Sequence, residues 1–131
     1  MKDFPLESFL LLNFFLATFV LQLGLLEWDQ NLSETSMILE IATIDVIPGR
    51  EEGYVAAFNE AKEILASKKG YISHELQNCI EDPSRFLVMI KWETLEDHTV
   101  GFRESPEFKR WRELIGPFFN SPPDVKHYEI V

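Results

Sequence analysis

The chain has 131 residues, enough for one domain with one core, and its 46% hydrophobic and 26% charged residues are ordinary for a globular protein. Its formal charge is −10, from 12 Lys+Arg against 22 Asp+Glu, and no basic run exceeds Lys68-Lys69, which argues against a nucleic-acid partner. Cys79 is the lone cysteine, so an intrachain disulfide and a cysteine-based metal site are excluded; it fits a reducing, cytoplasmic setting for the folded part.

Near its start the chain has 19 uncharged residues, Ser8 to Leu26, close to the roughly 20 apolar residues a membrane-spanning helix needs. It makes a poor cleaved signal peptide. Lys2 is offset by Asp3 and Glu7, and no small-x-small site follows Leu26. Trp28 stands where an interfacial anchor would sit. Three readings stay open for residues 1–36: a single-pass anchor, a helix interrupted by Asn13, Thr18 and Gln22 that docks on a protein surface, or a leader to a true start at Met37. The chemistry is expected in a domain spanning 37–131.

Residues 37–47 are rich in β-branched side chains and stop at Pro48-Gly49, which predicts a strand and a turn. Leu39 and Ile41 fall on one parity, Ile38, Ala42 and Ile44 on the other, so both faces should be covered. Arg50 to Lys69 reads as a helix with Tyr54, Phe58, Ala61 and Leu65 as its apolar stripe. Lys68 and Lys69 are expected in its last turn and Gly70 at its C-cap. Tyr71 to Cys79 and Phe86 to Trp92 read as two strands joined by the turn Glu81-Asp82-Pro83-Ser84, an antiparallel hairpin. Thr94 with Asp97 suggests a capping box for a short helix, with Leu95, His98, Thr99 and Phe102 on its inner face. Ser105-Pro106-Glu107 then begins a helix that runs to about Ile115. Val125 to Val131 closes the chain as a fourth strand.

The order β-α-β-β-α-β is the ferredoxin-like α+β pattern, a four-stranded antiparallel sheet with both helices on one face. Strands apolar on both faces leave a second face to cover. A second copy of the sheet would do this and make a homodimer; the N-terminal hydrophobic helix is the alternative cover.

G-Y-I-S-H-E-L (70–76), D-P-S-R-F-L-V-M-I-K-W-E (82–93) and H-T-V-G-F-R-E-S-P-E-F (98–108) resemble the antibiotic biosynthesis monooxygenase (ABM) domain family over residues 37 to 131. The resemblance implies a dimeric α+β barrel with a pocket between sheet and helices in each subunit. Several such proteins oxidise aromatic phenols or quinols with O₂ and no metal, flavin or nicotinamide; others cleave haem, and one branch isomerises a phosphorylated signal. The haem-cleaving pattern is missing here. Strand one reads I-A-T-I without asparagine, Phe102 stands near the tryptophan position, and the helix from Phe108 to Ile115 has no histidine. His98 matches a histidine common in the quinol-oxidase-like members and the signal isomerase.

His98 is therefore the candidate catalytic base, since a neutral imidazole with a pKa near the working pH suits removal of a phenolic proton. Trp92, Phe102, Trp111 and Phe86 are candidates to enclose a planar ring, with plain core packing as the competing account. Tyr71 and His74 are secondary substrate-binding candidates, and Arg85 could meet an anion. His127 shows no evident partner in the sequence. His74, His98 and His127 lack metal-ligand spacing, so no metal and no cofactor is expected. The expected partners are a small aromatic molecule, O₂ and a second copy of the chain. A small-carbonyl isomerase and a non-catalytic dimeric binding module are the alternatives.

Overall fold

A computed structural model describes residues 37–131. The segment 8–26 and the three readings of residues 1–36 lie outside the described residues. No helix among the described residues is long and apolar enough to cross a membrane.

Four strands, β1 (Ile38–Asp45), β2 (Tyr71–Asn78), β3 (Arg85–Trp92) and β4 (Asp124–Glu129), form one antiparallel sheet in the order β2-β3-β1-β4. Two helices, α1 (Glu51–Ala66) and α2 (Pro106–Ile115), complete the ferredoxin-like α+β fold expected from the element order. Register decides which side chains face the helices. Glu40 pairs with Ile90 and His127, and Ala42 with Val88 and Val125, so all of these share the helix-covered face. Leu39, Ile41, Leu87 and Met89 alternate to the other face, where they are only half-buried.

The core lies under α1. Tyr54, Phe58, Ala61 and Leu65, at helical spacing, are all buried against β2 and β3. Tyr54 meets Phe86 edge-on at 5.0 Å between ring centroids, and Phe58 meets Trp111 at 5.9 Å. Fully burying such side chains stabilises by about 1.5–3 kcal/mol each. Helix α1 stops earlier than the charge pattern suggests. Its C-cap is Ser67, whose hydroxyl donates to the Ile64 carbonyl, so Lys68 and Lys69 lie beyond the last turn. Gly70 is instead the turn residue before β2. Its φ of +83° favours glycine, and a Cβ there would strike the Asp97 carboxylate.

The connection from β3 to α2 is where local sequence and final geometry differ most. Thr94 does cap it: its hydroxyl accepts from the Asp97 amide at 3.1 Å. The expected short α-helix is a π-helical segment, Asp97–Phe102, with the Arg103 amide donating to the His98 carbonyl five residues back. Thr99, Val100 and Gly101 are weak α-helix formers, so the wide turn displaces little α-helical preference. His98 and Phe102 point inward and are buried, whereas Leu95, expected on that face, is 39% exposed. Pro106 starts α2 as expected, but the Ser105 hydroxyl donates back to the Phe102 carbonyl rather than capping the helix. Gly116-Pro117-Phe118 adds a 3₁₀ turn that leads into the loop before β4.

Candidate functional site

Glu40 is an unusual residue for the middle of a strand. It shares the inward parity of Ala42 and Ile44, and it is 5% exposed. A buried carboxylate is costly unless both oxygens are satisfied. Here they are. Oε2 accepts from the Trp92 indole Nε1 at 3.1 Å, and Oε1 lies 2.9 Å from His98 Nε2. The Trp92 ring also stacks on the His98 imidazole, 5.4 Å between centroids and 21° from parallel. Strands β1 and β3 therefore hold the imidazole from below and behind, while the π-helical segment delivers it from above.

The chain of contacts continues. His98 Nδ1 lies 2.7 Å from His127 Nε2 on β4. The proton positions follow from the partners. A carboxylate only accepts, so His98 Nε2 carries a hydrogen. Neutral His98 then offers a lone pair at Nδ1, which accepts from His127 Nε2–H. His127 Nδ1 is left as the unprotonated nitrogen at the end of the chain. Burial, together with the nearby His98 and Arg103, holds the His127 pKa below its ordinary value against the opposing pull of Glu40. His127 is thus neutral at pH 7.

The Glu40–His98 end of this chain borders a cavity of about 1250 Å³ between the sheet and α2, and His127 stands behind His98, outside the lining. Its floor is Ala42, Ile44, Val88 and Ile90; Phe102, Phe108, Trp111 and Phe119 make its aromatic wall; Glu40 and His98 supply its buried polar end. A planar apolar molecule with one polar edge suits such a lining.

The structure brings His98, Phe102 and Trp111 together at the cavity and sets Trp92 directly behind His98. Four other candidates lie elsewhere. Phe86 packs on Tyr54 under α1 and does not line the cavity. Tyr71 and His74 pair with each other at 2.5 Å on the β2 edge, with His74 edge-on to Phe58. Arg85 forms an ion pair with Asp45 at 2.9 Å on the strand pair's outer end. Glu40 and His127 were not singled out from the sequence. A signal for Glu40 exists in its parity with Ala42 and Ile44. The pairing of His127 with a histidine 29 residues away has no local signature. Among the described residues, no cluster of three or more His, Cys, Asp or Glu has metal-holding geometry.

Comparison with known proteins agrees with this architecture. Residues 37–114 match the family model for antibiotic biosynthesis monooxygenase. The chain is 40% identical over 95 residues to the uncharacterized protein YczJ of Bacillus subtilis strain 168, covering 72% of this chain and 100% of that one. A crystal structure assigned by name to the antibiotic biosynthesis monooxygenases, from Bordetella bronchiseptica, superposes with a TM-score of 0.71 at 40% identity, over 73% of this chain and 98% of that chain. SnoaB of Streptomyces nogalater, a cofactor-independent oxygenase solved as a point mutant, shares the fold at a TM-score of 0.64 and 10% identity, over 72% of this chain and 93% of that one. With the family model matched across most of the described domain, this chain belongs to the antibiotic biosynthesis monooxygenase family.

Proposed function

We propose that the domain oxidises a small aromatic phenol or quinol with O₂, using the Glu40–His98–His127 chain to take up the phenolic proton. The observation that carries this reading is the buried, doubly bonded Glu40–His98 pair opening onto an aromatic-walled cavity. In this scheme the His98–His127 hydrogen bond opens, the freed His98 Nδ1 takes the hydroxyl proton at the cavity, and Glu40 stabilises the imidazolium that forms. The phenolate passes one electron to O₂. The resulting radical pair joins through a C–O bond at the ring carbon para to the oxygen. Loss of that carbon's hydrogen and cleavage of the O–O bond leave a quinone, with the second oxygen departing as water. One phenol and one O₂ give one quinone and one water, so the ring supplies all four electrons; a hydroquinone, whose para carbon already bears oxygen, gives up two electrons and yields the quinone and hydrogen peroxide.

Oxygen uptake by the purified protein with 1-naphthol or simple hydroquinones tests this. His98→Ala should lower turnover by at least about 10²-fold, the ordinary contribution of a positioned base, while circular dichroism shows the fold retained. Uptake that is undiminished in a folded His98→Ala protein overturns the assignment.

The same proposal includes a homodimer joined through the outer sheet face. Leu39, Ile41, Leu87 and Met89 give that face an apolar, half-exposed patch, which a second copy would cover. Light scattering at the dimer mass supports it, and a monomer of the intact chain refutes it.

A further inference from the structure

The chain as a whole is acidic, with 22 Asp+Glu against 12 Lys+Arg, yet the mouth of the cavity has the opposite sign. Three cations stand there, Arg103, Lys109 and Arg112, all exposed at their outer ends. The facing loop brings Asn120 and Ser121 with two prolines and no carboxylate. One acid, Glu113, shares the helix side of the rim, and it is engaged with Lys109 at 3.9 Å. The next acid along the chain, Asp124, is taken by Lys126. Among the described residues, Arg103 and Arg112 have no carboxylate within 4.0 Å.

Their placement matters as much as their charge. The exposed Arg112 guanidinium lies over Phe108, 5.9 Å from its ring centroid, beside the cavity's aromatic wall. Arg103 leaves the π-helical segment directly after Phe102, close enough to His127 to bear on its charge. The cavity therefore combines the buried Glu40–His98 pair, an apolar slot and two exposed guanidinium groups. A guanidinium fork matches a planar carboxylate, and its attraction strengthens where apolar walls exclude water.

We infer that the cavity takes an aromatic ligand bearing an anionic substituent, a carboxylate for instance, with the ring lying against Phe102 and Trp111 on the apolar floor and the anion held at the mouth by Arg103 and Arg112. The inference rests on the cavity being the ligand site, and it narrows the substrate class from any small phenol to an acidic one.

Calorimetric titration of the full chain under anaerobic conditions, with 5-hydroxy-2-naphthoate and 1-naphthol, isolates the contribution of one carboxylate. The naphthoate should bind roughly tenfold more tightly at low salt, an advantage that shrinks as salt is added. In an Arg103→Gln/Arg112→Gln double variant the ratio of the two affinities should fall toward one. Equal affinities in the wild-type protein, an advantage that survives in the double variant, or no binding of either probe at millimolar concentration would each overturn the inference. Oxygen uptake measured separately in air with the same two compounds, each with a hydrogen on the carbon para to its hydroxyl, separates this from the oxidation reading. Arginine-dependent binding without uptake leaves the anion site standing and removes the oxidase, whereas uptake without a charge preference does the reverse.

Discussion

The two halves of the helix-covered sheet face are built differently. Under α1, on the β2 side, Tyr54 packs on Phe86 and Phe58 on His74, and all four apolar positions of the helix are buried. Over β1, β4 and the Val88–Ile90 stretch of β3, the shorter α2 and the loop that follows it stand off the sheet and leave the cavity. Each half holds a histidine bonded at ring nitrogen. His74 meets a phenol hydroxyl, Tyr71, on a sheet edge. His98 meets a carboxylate and a second imidazole beneath an open slot. An inward histidine becomes a candidate base only when a charged partner can stabilise its protonated form and a cavity can bring a proton to it.

The largest effect on stability should come from the closed half. Phe58→Ala removes a ring that is 2% exposed and touches Trp111 and His74, and it should cost about 3–5 kcal/mol in urea unfolding. Phe119→Ala, a half-buried residue on the cavity wall, should cost clearly less, because no tight cavity is created by widening an existing one. Equal losses would mean that the cavity wall is as tightly packed as the core.

A smaller change of opposite sign is expected at Tyr54. Its hydroxyl is buried and has no hydrogen-bond partner among the described residues, and burial pushes its pKa well up. Tyr54→Phe removes an unsatisfied polar group and keeps the ring, so thermal unfolding should show a gain of about 1 kcal/mol. A loss would reveal a partner for that oxygen.

Acid should weaken both halves in the same pH window. His74 and His127 have pKa values lowered from 6.5, His74 by burial and then Lys62 against Glu63, His127 by burial and then His98 and Arg103 against Glu40. A depressed folded-state value means that the unfolded chain takes up protons first. The stabilisation is therefore complete above pH 6.5 and is lost as pH falls below it through the folded values. The urea midpoint should drop between pH 7.5 and pH 5, and His74→Gln and His127→Gln should each flatten part of that slope. A midpoint that rises on acidification contradicts the assigned direction.

Sequence by itself determined the element order, and with it the fold. Every apolar stripe, the Pro48-Gly49 and Gly116-Pro117 breaks and the Pro106 start are signals carried within one helix turn or one strand, so they can be read locally. The same holds for His98 as an inward histidine, and for the two-faced character of β1 and β3. Tertiary structure alone decided how the site is assembled. Glu40 and Trp92 meet across 52 positions, and His98 and His127 across 29, because β1 lies between β3 and β4. Phe86 and Phe102 are equally aromatic and sit at equally apolar positions along the chain, yet one fills the core and the other walls the cavity. That choice depends on how far each helix stands from the sheet, a property of packed volumes that no short stretch of residues contains.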